Sequence, residues 1–210
     1  MIAAFDVHYP DDGRACAAAV LFHEYTDGEP ESERVEPIEG VLPYVPGQFY
    51  KRELPCILRL LEQFEELPEE MIVDGYAMIR DQPGLGRHLF ESLWEKIPVI
   101  GVAKSRYRSA SAIEVFRGLS RRPLYVTSAG LDPREASERI RLMHGIHRIP
   151  TLLRRVDLLA RAKAPSPALY SGQAHLKTRC SGERMTPIPS GVKTPLSTTV
   201  RFRIVWDGAV

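Results

Sequence analysis

Three acidic side chains and one lysine stand where the sequence could support chemistry. Asp6 lies inside a predicted first strand, Glu53 near the start of a predicted helix, and Asp74 at the end of a short apolar strand. Lys104 follows another such strand. Phosphodiester hydrolysis commonly uses two Mg²⁺ ions about 4 Å apart, held by carboxylates that the fold brings to one place. Aspartates at strand ends are also common in turns and caps, so the spacing alone leaves both interpretations open.

The remaining composition restricts the kind of metal site and the cellular setting. The three cysteines, Cys16, Cys56 and Cys180, form no Cys-x-x-Cys pair and no cluster with histidine. A zinc site or a disulfide framework is therefore not expected, whereas carboxylate oxygens favour Mg²⁺ or Mn²⁺. The first residues lack the basic region of a signal peptide, and no apolar run approaches the roughly 18 residues of a membrane span. We expect a cytoplasmic, monomeric protein without a membrane partner.

The charge balance limits the partner in a different way. The 210-residue chain has 28 basic and 27 acidic residues, a net charge of +1. This balance excludes a histone-like polycation but leaves room for a local basic face that binds nucleic acid.

The most distinctive stretch is LPYVPGQFYKREL, residues 42–54. Its prolines predict a stiff turn, and the apolar spacing that follows predicts one face of a helix at Ile57, Leu60, Leu61, Phe64 and Leu67. Proline is tolerated in the first helical turn, so Pro55 is predicted to lie there. On this interpretation, the opening turn of the helix carries Glu53 beside a rigid aromatic turn.

The order of the other elements predicts the fold class. Strands are expected at residues 2–9, 14–23, 34–40, 71–74, 98–102 and 123–127, and further helices at about 85–94, 133–145 and 151–162. A hairpin and a third strand followed by alternating strands and helices predict an α/β protein. Its mixed sheet would contain an antiparallel meander, then parallel βα units, flanked by helices. Ligands of such sheets bind beyond the carboxyl ends of the strands, where Asp74 and Lys104 lie.

The character of the chain changes near its end. Residues 1–163 are predicted to form one domain. Residues 164–210 are rich in Ser, Thr, Gly and Pro and lose the apolar periodicity, which is typical of a disordered or loosely attached tail. Within it, residues 200–206 have the pattern of one short strand.

Several motifs, taken together and in order, resemble the endonuclease V family. The resemblance runs over about residues 2–162 and rests on Phe5-Asp6-Val7, PYVPGQFYKRE (43–53), Val73-Asp74-Gly75 and IGVAK (100–104). A late element of the family, Arg-Leu-Pro…Arg…Asp, is similar to Arg148-Ile149-Pro150, Arg154 and Asp157.

The resemblance implies an RNase H-like fold and a DNA-repair activity. Members of the family cut DNA or RNA near deoxyinosine or inosine and use Mg²⁺. By this resemblance, Asp6, Glu53 and Asp74 would be the catalytic, metal-binding carboxylates. Lys104 would be the basic group beside the scissile phosphate, where a cation stabilises developing charge.

The resemblance also implies a substrate-binding set. Pro43, Tyr44, Val45 and Pro46 match the wedge that separates the strands at the lesion, with Tyr44 as its tip. A stiff aromatic side chain can replace base stacking while the lesion base turns into a pocket. Gly47 and Gly75 would let the backbone approach that base.

The sequence departs from the family pattern beside the second catalytic aspartate. Tyr76 and Ala77 stand where a polar residue and a glycine are usual, and the His-Pro-Arg that normally follows is missing. Later, Gly130 is followed by Leu131 rather than by the usual His-Arg.

Two alternatives within nucleic-acid biology stay open. One is a diverged RNase H-like nuclease that recognises another lesion or structure, and the other is a non-catalytic nucleic-acid-binding protein that keeps the wedge. A small-molecule α/β enzyme is disfavoured, because the chain has no Gly-x-Gly-x-x-Gly or Walker loop.

Overall fold

A computed structural model describes residues 1–11, 13–107 and 111–163, with the backbone alone at Lys163. Its strands are β1 Ile2–Asp11, β2 Arg14–Phe22, β3 Ser32–Glu39, β4 Glu70–Asp74, β5 Met78–Ile79, β6 Gln82–Pro83, β7 Val99–Ala103, β8 Ile113–Val115 and β9 Leu124–Ala129. Its helices are α1 Phe49–Leu61, α2 Leu85–Ser92, α3 Pro133–Leu142 and α4 Thr151–Lys163. The predicted tail, 164–210, and its predicted strand at 200–206 lie outside the described residues.

In the part of the chain that the structure describes, seven strands form one sheet in the order β3-β2-β1-β4-β7-β9-β8. Strands β1, β2 and β3 form an antiparallel meander, and β4 and β7 run parallel to β1. This arrangement confirms the predicted mixed sheet with parallel βα units. The final pair differs from the prediction, because β9 is antiparallel to β7. In its described residues, the connection between β7 and β9 contains the short strand β8 and no crossover helix, and the chain returns in the opposite direction.

Helices cover both faces of the sheet. On one face, Ile2 and Ala4 of β1 and Ile72 of β4 join a core with Ile140 of α3 and Val156 of α4. The alternate residues of β1 point the other way, because successive strand side chains project to opposite faces. There Phe5 stacks on Phe64, which follows α1, with ring centroids 6.0 Å apart. Within the described ranges, no helix is long and apolar enough to cross a membrane.

Helix α1 begins earlier than predicted. Its first residue is Phe49, so Pro55 lies inside the helix, and Glu53 is not in the opening turn. The prediction was wrong because Gln48 occupies the N-cap and makes no side-chain cap bond, so the usual start signal is absent. Pro55 cannot donate to the carbonyl of Lys51. Lys51 is exposed, so water can donate a hydrogen bond to that carbonyl instead.

The two later helices follow their sequence signals. Asp132 caps α3, and its Oδ1 accepts hydrogen bonds from the backbone N–H of Arg134 at 2.8 Å and of Glu135 at 3.3 Å. Helix α3 ends at Leu142, a little before the predicted end near Gly145. Helix α4 begins at Thr151 as predicted and carries the residues that reach the sheet beside Asp6.

Candidate active site

The register of the central strands brings Asp6 and Asp74 together. Phe5 of β1 pairs with Val73 of the parallel strand β4, so the next residues, Asp6 and Asp74, stand level on neighbouring strands. Asp6 continues the face of Ile2 and Ala4, which packs against α4. Asp74 ends β4, and β1 continues past it. Two carboxylates therefore lie side by side at the carboxyl end of a parallel strand pair.

Lys104 closes one side of this pair. Val102 of β7 is level with Asp74, and Lys104 follows two residues later on the same face. Its Nζ lies 2.7 Å from Asp74 Oδ2 and 3.5 Å from Oδ1 of Asp157 on α4. Burial lowers the pKa of the Lys104 amine, but the hydrogen bond to Asp74 and the nearby carboxylates outweigh burial and raise the pKa above its ordinary value. Lys104 is therefore a firmly charged cation.

Glu53 enters from α1 and is the most buried acid of the group. Its side chain is 3% exposed, and among the described residues its Oε2 has no hydrogen-bond partner. Burial, and then the charges of Asp6 and Asp74, raise its pKa well above the ordinary value. A buried carboxylate oxygen without a partner is costly, and such an oxygen is suited to a ligand that the protein itself does not supply.

The ionised form of Asp6 is also disfavoured by its surroundings. Burial and then the charge of Asp74 raise its pKa to about 7, although Lys104 opposes the shift. The backbone N–H of Val7 donates to Asp6 Oδ1 at 2.9 Å. The carboxylates thus repel one another more than the neighbouring lysine can compensate.

The predicted residues mostly meet in one cavity of about 610 Å³. Its lining includes all four predicted catalytic residues, Asp6, Glu53, Asp74 and Lys104, and three of the predicted substrate-binding residues, Tyr44, Gly47 and Gly75. Pro43, Val45 and Pro46 are exposed and do not line it. Tyr44 is 55% exposed, and its ring meets the edge of Phe49 at 6.1 Å. Gly47 and Gly75 have φ angles of +79° and +125°, with open space where a Cβ would stand.

Two residues of α4 were not assigned a site role from the sequence. Asp157 lines the cavity and is held by Arg161, whose Nε and Nη2 donate to the carboxylate at 3.0 and 3.1 Å. The hydrogen bonds from Arg161 keep the pKa of Asp157 below its ordinary value, and the charge of Lys104 adds to this effect. The late motif drew attention to Asp157, but only the packing of α4 on β1 shows that it reaches Asp6 and Lys104.

The departures from the family pattern have clear structural consequences. Ala77 is fully buried and donates its N–H to Thr127 Oγ1 at 2.8 Å, so its methyl group does not line the cavity. Tyr76 does line the cavity. Where His-Pro-Arg is usual, the chain forms the β5–β6 hairpin, with Arg80 at a φ of 53°. Ile79 of this hairpin contributes an apolar wall.

The donor set fits a hard divalent cation in its chemistry. Carboxylate oxygens are the ligands that Mg²⁺ prefers. Among the described residues, Glu53 Oε2 has no hydrogen-bond partner, and Asp6 is destabilised as an anion by burial and by Asp74, so a bound cation would stabilise both carboxylates. As the side chains stand in the described ranges, no three acidic, histidine or cysteine residues are arranged to hold an ion. The residues that fit the ion therefore share a cavity without forming a closed coordination shell.

The fold and the cavity define a class of protein: an α/β domain with an acidic site at the carboxyl ends of its central strands. The family model described as Endonuclease V matches residues 1–131, more than half of the chain. The chain therefore belongs to the endonuclease V family, as its motifs predicted.

Curated relatives agree with this assignment over part of their length. The endonuclease V of Alkalilimnicola ehrlichii is 36% identical over 107 residues, 50% of this chain and 46% of that protein. The endonuclease V of Xylella fastidiosa is 35% identical over 107 residues, 50% of this chain and 44% of that protein. The chain spans about half the length of the curated relatives it matches.

Solved structures confirm the predicted RNase H-like fold class. The Streptomyces avermitilis endonuclease V has a TM-score of 0.62 and 26% identity, over 77% of this chain and 79% of that one. The Ciona intestinalis endonuclease V, solved with a DNA that contains an inosine, has a TM-score of 0.67 over 77% of this chain and 84% of that one. At 18% identity, the second likeness establishes the fold alone.

Proposed function

We propose that this protein is a Mg²⁺-dependent endonuclease that hydrolyses a phosphodiester near deoxyinosine or inosine in DNA or RNA. The observation that carries the proposal is the convergence of Asp6, Glu53, Asp74 and Asp157 on one cavity beside Lys104. A protein that only bound nucleic acid would gain nothing from carboxylates placed against phosphates. Family membership supports the same activity.

The acids and the lysine would have different roles. Asp6, Glu53 and Asp74 would hold Mg²⁺, with Asp157 as a fourth oxygen donor. When bound, the ion would supply positive charge and activate water for attack. Lys104 would stabilise the charge that develops on the phosphate oxygens while one P–O ester bond breaks. Arg161 would keep Asp157 turned toward the cavity through its two hydrogen bonds.

The substrate would enter past the exposed turn before α1. Tyr44 would be the tip of the wedge, and its half-exposed ring, braced by Phe49, suits insertion between bases. Gly47 and Gly75 line the cavity with open space above them, which would let a displaced base approach the backbone. The proposed partner is DNA. RNA is proposed as well, because its backbone contains the same phosphodiester bond. A cytoplasmic location and a monomeric state stay predictions.

The test is cleavage of labelled strands that contain one deoxyinosine or inosine, single or in a duplex, beside unmodified controls. We expect cutting close to the lesion in Mg²⁺ and none in a chelator. Asp6→Ala should abolish it, whereas Glu66→Gln, an exposed acid outside the cavity, should not. Equal cutting of all substrates would favour the diverged nuclease. Binding without cutting in Mg²⁺ or Mn²⁺ would refute the enzyme.

A further inference from the structure

The segment from Lys104 to Tyr107 is held by two side chains that are distant from it in sequence, Tyr76 and Arg148. The hydroxyl of Tyr76 donates to the carbonyl of Ser105 at 2.8 Å and accepts from the N–H of Tyr107 at 2.9 Å. On the other side, Arg148 donates to the carbonyl of Lys104 and, at 2.8 Å, to that of Pro123. The backbone on both sides of Arg106 is therefore fixed without a strand partner for Tyr107.

This arrangement presents two aromatic rings to the cavity. Tyr76 and Tyr107 both line it, with ring centroids 6.5 Å apart and planes inclined at 60°. We call this pair the aromatic corner. Tyr107 is 53% exposed, its backbone N–H donates to the Tyr76 hydroxyl, and its ring lies beside the Tyr76 ring. Two neighbouring aromatic rings at the rim of the cavity offer a surface on which a ligand with a flat apolar face can stack.

The hydrogen bonds of Tyr76 indicate which part of its side chain a ligand can contact. Its hydroxyl already donates one hydrogen bond and accepts another, both with the backbone. Tyr76 can therefore offer its ring to a ligand more readily than its hydroxyl. It also stands where the family pattern has a polar residue, so a side chain suited to hydrogen bonding is replaced by an aromatic surface.

We propose that the aromatic corner receives an unpaired nucleobase of the nucleic-acid substrate by stacking, and that Tyr76 positions Tyr107 for this contact. The inference rests on the proposed function and specifies how its substrate is bound. Every base has a π-face, so stacking tolerates changes at the hydrogen-bonding edge. The corner therefore favours bases that are easily displaced from a helix over bases with one particular edge.

The test uses a single strand with one 2-aminopurine between two abasic positions, so that no neighbouring base can stack on it. Binding is followed in a chelator, where no cleavage occurs. We expect the wild-type protein to quench the fluorophore, because the purine stacks on a tyrosine ring. Tyr107→Ala should weaken binding by about 5- to 150-fold and abolish the quenching. Tyr107→Phe should restore both, since it retains the ring.

Two further variants separate this role from a general loss of structure. Phe116→Ala removes an equally exposed ring, 54% exposed, that does not line the cavity, and it should bind and quench as the wild type does. Tyr76→Phe keeps the ring but releases the backbone of Ser105 and Tyr107, so quenching should become weaker and more heterogeneous in lifetime. Thermal unfolding of each variant checks that it is folded.

The outcomes distinguish the corner from the nuclease activity. Quenching that depends on Tyr107, without any cutting in Mg²⁺, would support the corner and refute the proposed function. Cutting near deoxyinosine with Tyr107→Ala unchanged in binding and quenching would refute the corner and leave the nuclease. Absence of quenching by the folded wild-type protein would also overturn the corner.

Discussion

Replacing Asp6 by asparagine should stabilise the metal-free protein. The pKa of Asp6 is raised from 3.8 to about 7, first by burial and then by Asp74. Between these two values the folded protein binds a proton that the unfolded chain has lost, so stability falls as the pH rises through this window. Above pH 7 Asp6 is ionised in both the folded and the unfolded protein, and its charge destabilises the folded protein by the full amount. Asparagine has no charge at this position and therefore removes that destabilisation.

The size of the effect follows from the same two pKa values. Their difference corresponds to about 4 kcal/mol at pH 8, and to less than half of that at pH 5. The cavity is open to water, which screens the charges, so we expect a gain of about 1–2 kcal/mol at pH 8. For a domain of this size, that gain raises Tm by about 2–8 °C.

The assay is thermal unfolding of the wild type and Asp6→Asn at pH 5 and pH 8 in a chelator, with Glu66→Gln as the control for loss of an exposed acid. Adding Mg²⁺ should raise the Tm of the wild type more than that of Asp6→Asn, because a ligand stabilises the state that binds it. A Tm for Asp6→Asn at or below the wild-type value at pH 8 would refute the electrostatic argument.

Three other substitutions test separate parts of the structure. Lys104→Ala removes the ammonium 2.7 Å from Asp74 and should lower kcat about 10²–10³-fold in single-turnover cleavage, with Lys104→Arg restoring part of the loss; an unchanged kcat would exclude the role. Arg117 is 6% exposed and donates to backbone carbonyls beyond α3, at 3.1 Å to Gly145, so Arg117→Met should lower the unfolding free energy in urea by about 2–3 kcal/mol. A loss close to zero would mean that water replaces those bonds. Asp132→Ala should lower the unfolding free energy by about 1 kcal/mol, because it removes the cap of α3. Asp132→Ser should retain most of that stability, since serine also caps helices. Equal losses in the two variants would contradict a capping role.

The sequence predicted those features whose causes are local. The alternation of β1, the apolar run of β2 and the cap at Asp132 each act within a few residues, and each element was found where its pattern indicated. The start of α1 was missed because Gln48 gives no capping signal. Strand β8, Ile113–Val115, was missed because three residues are too few to show a period.

The sequence predicted which residues form the site better than it predicted how they are arranged. The motifs named Asp6, Glu53, Asp74 and Lys104, and all four line one cavity. Nothing local indicates that Glu53 would be 3% exposed, because its burial depends on where α1 begins and what it packs against. Likewise, the contact of Asp157 with Lys104 at 3.5 Å requires α4 to lie across β1, which is a long-range feature.

The acidic cavity and the aromatic corner pose different physical demands on the same loop. Lys104 must remain beside Asp74 to offset the carboxylates, while Tyr107, three residues later, must keep its ring exposed at the rim. Pairing of β7 with its neighbours does not hold this segment, because β7 ends at Ala103. Tyr76 and Arg148 instead bond the backbone on either side, which leaves the lysine and the tyrosine ring free to face the cavity. Tyr76, two residues after Asp74, thus holds the loop through its hydroxyl, and in the proposed role of the aromatic corner its ring is what a base would meet.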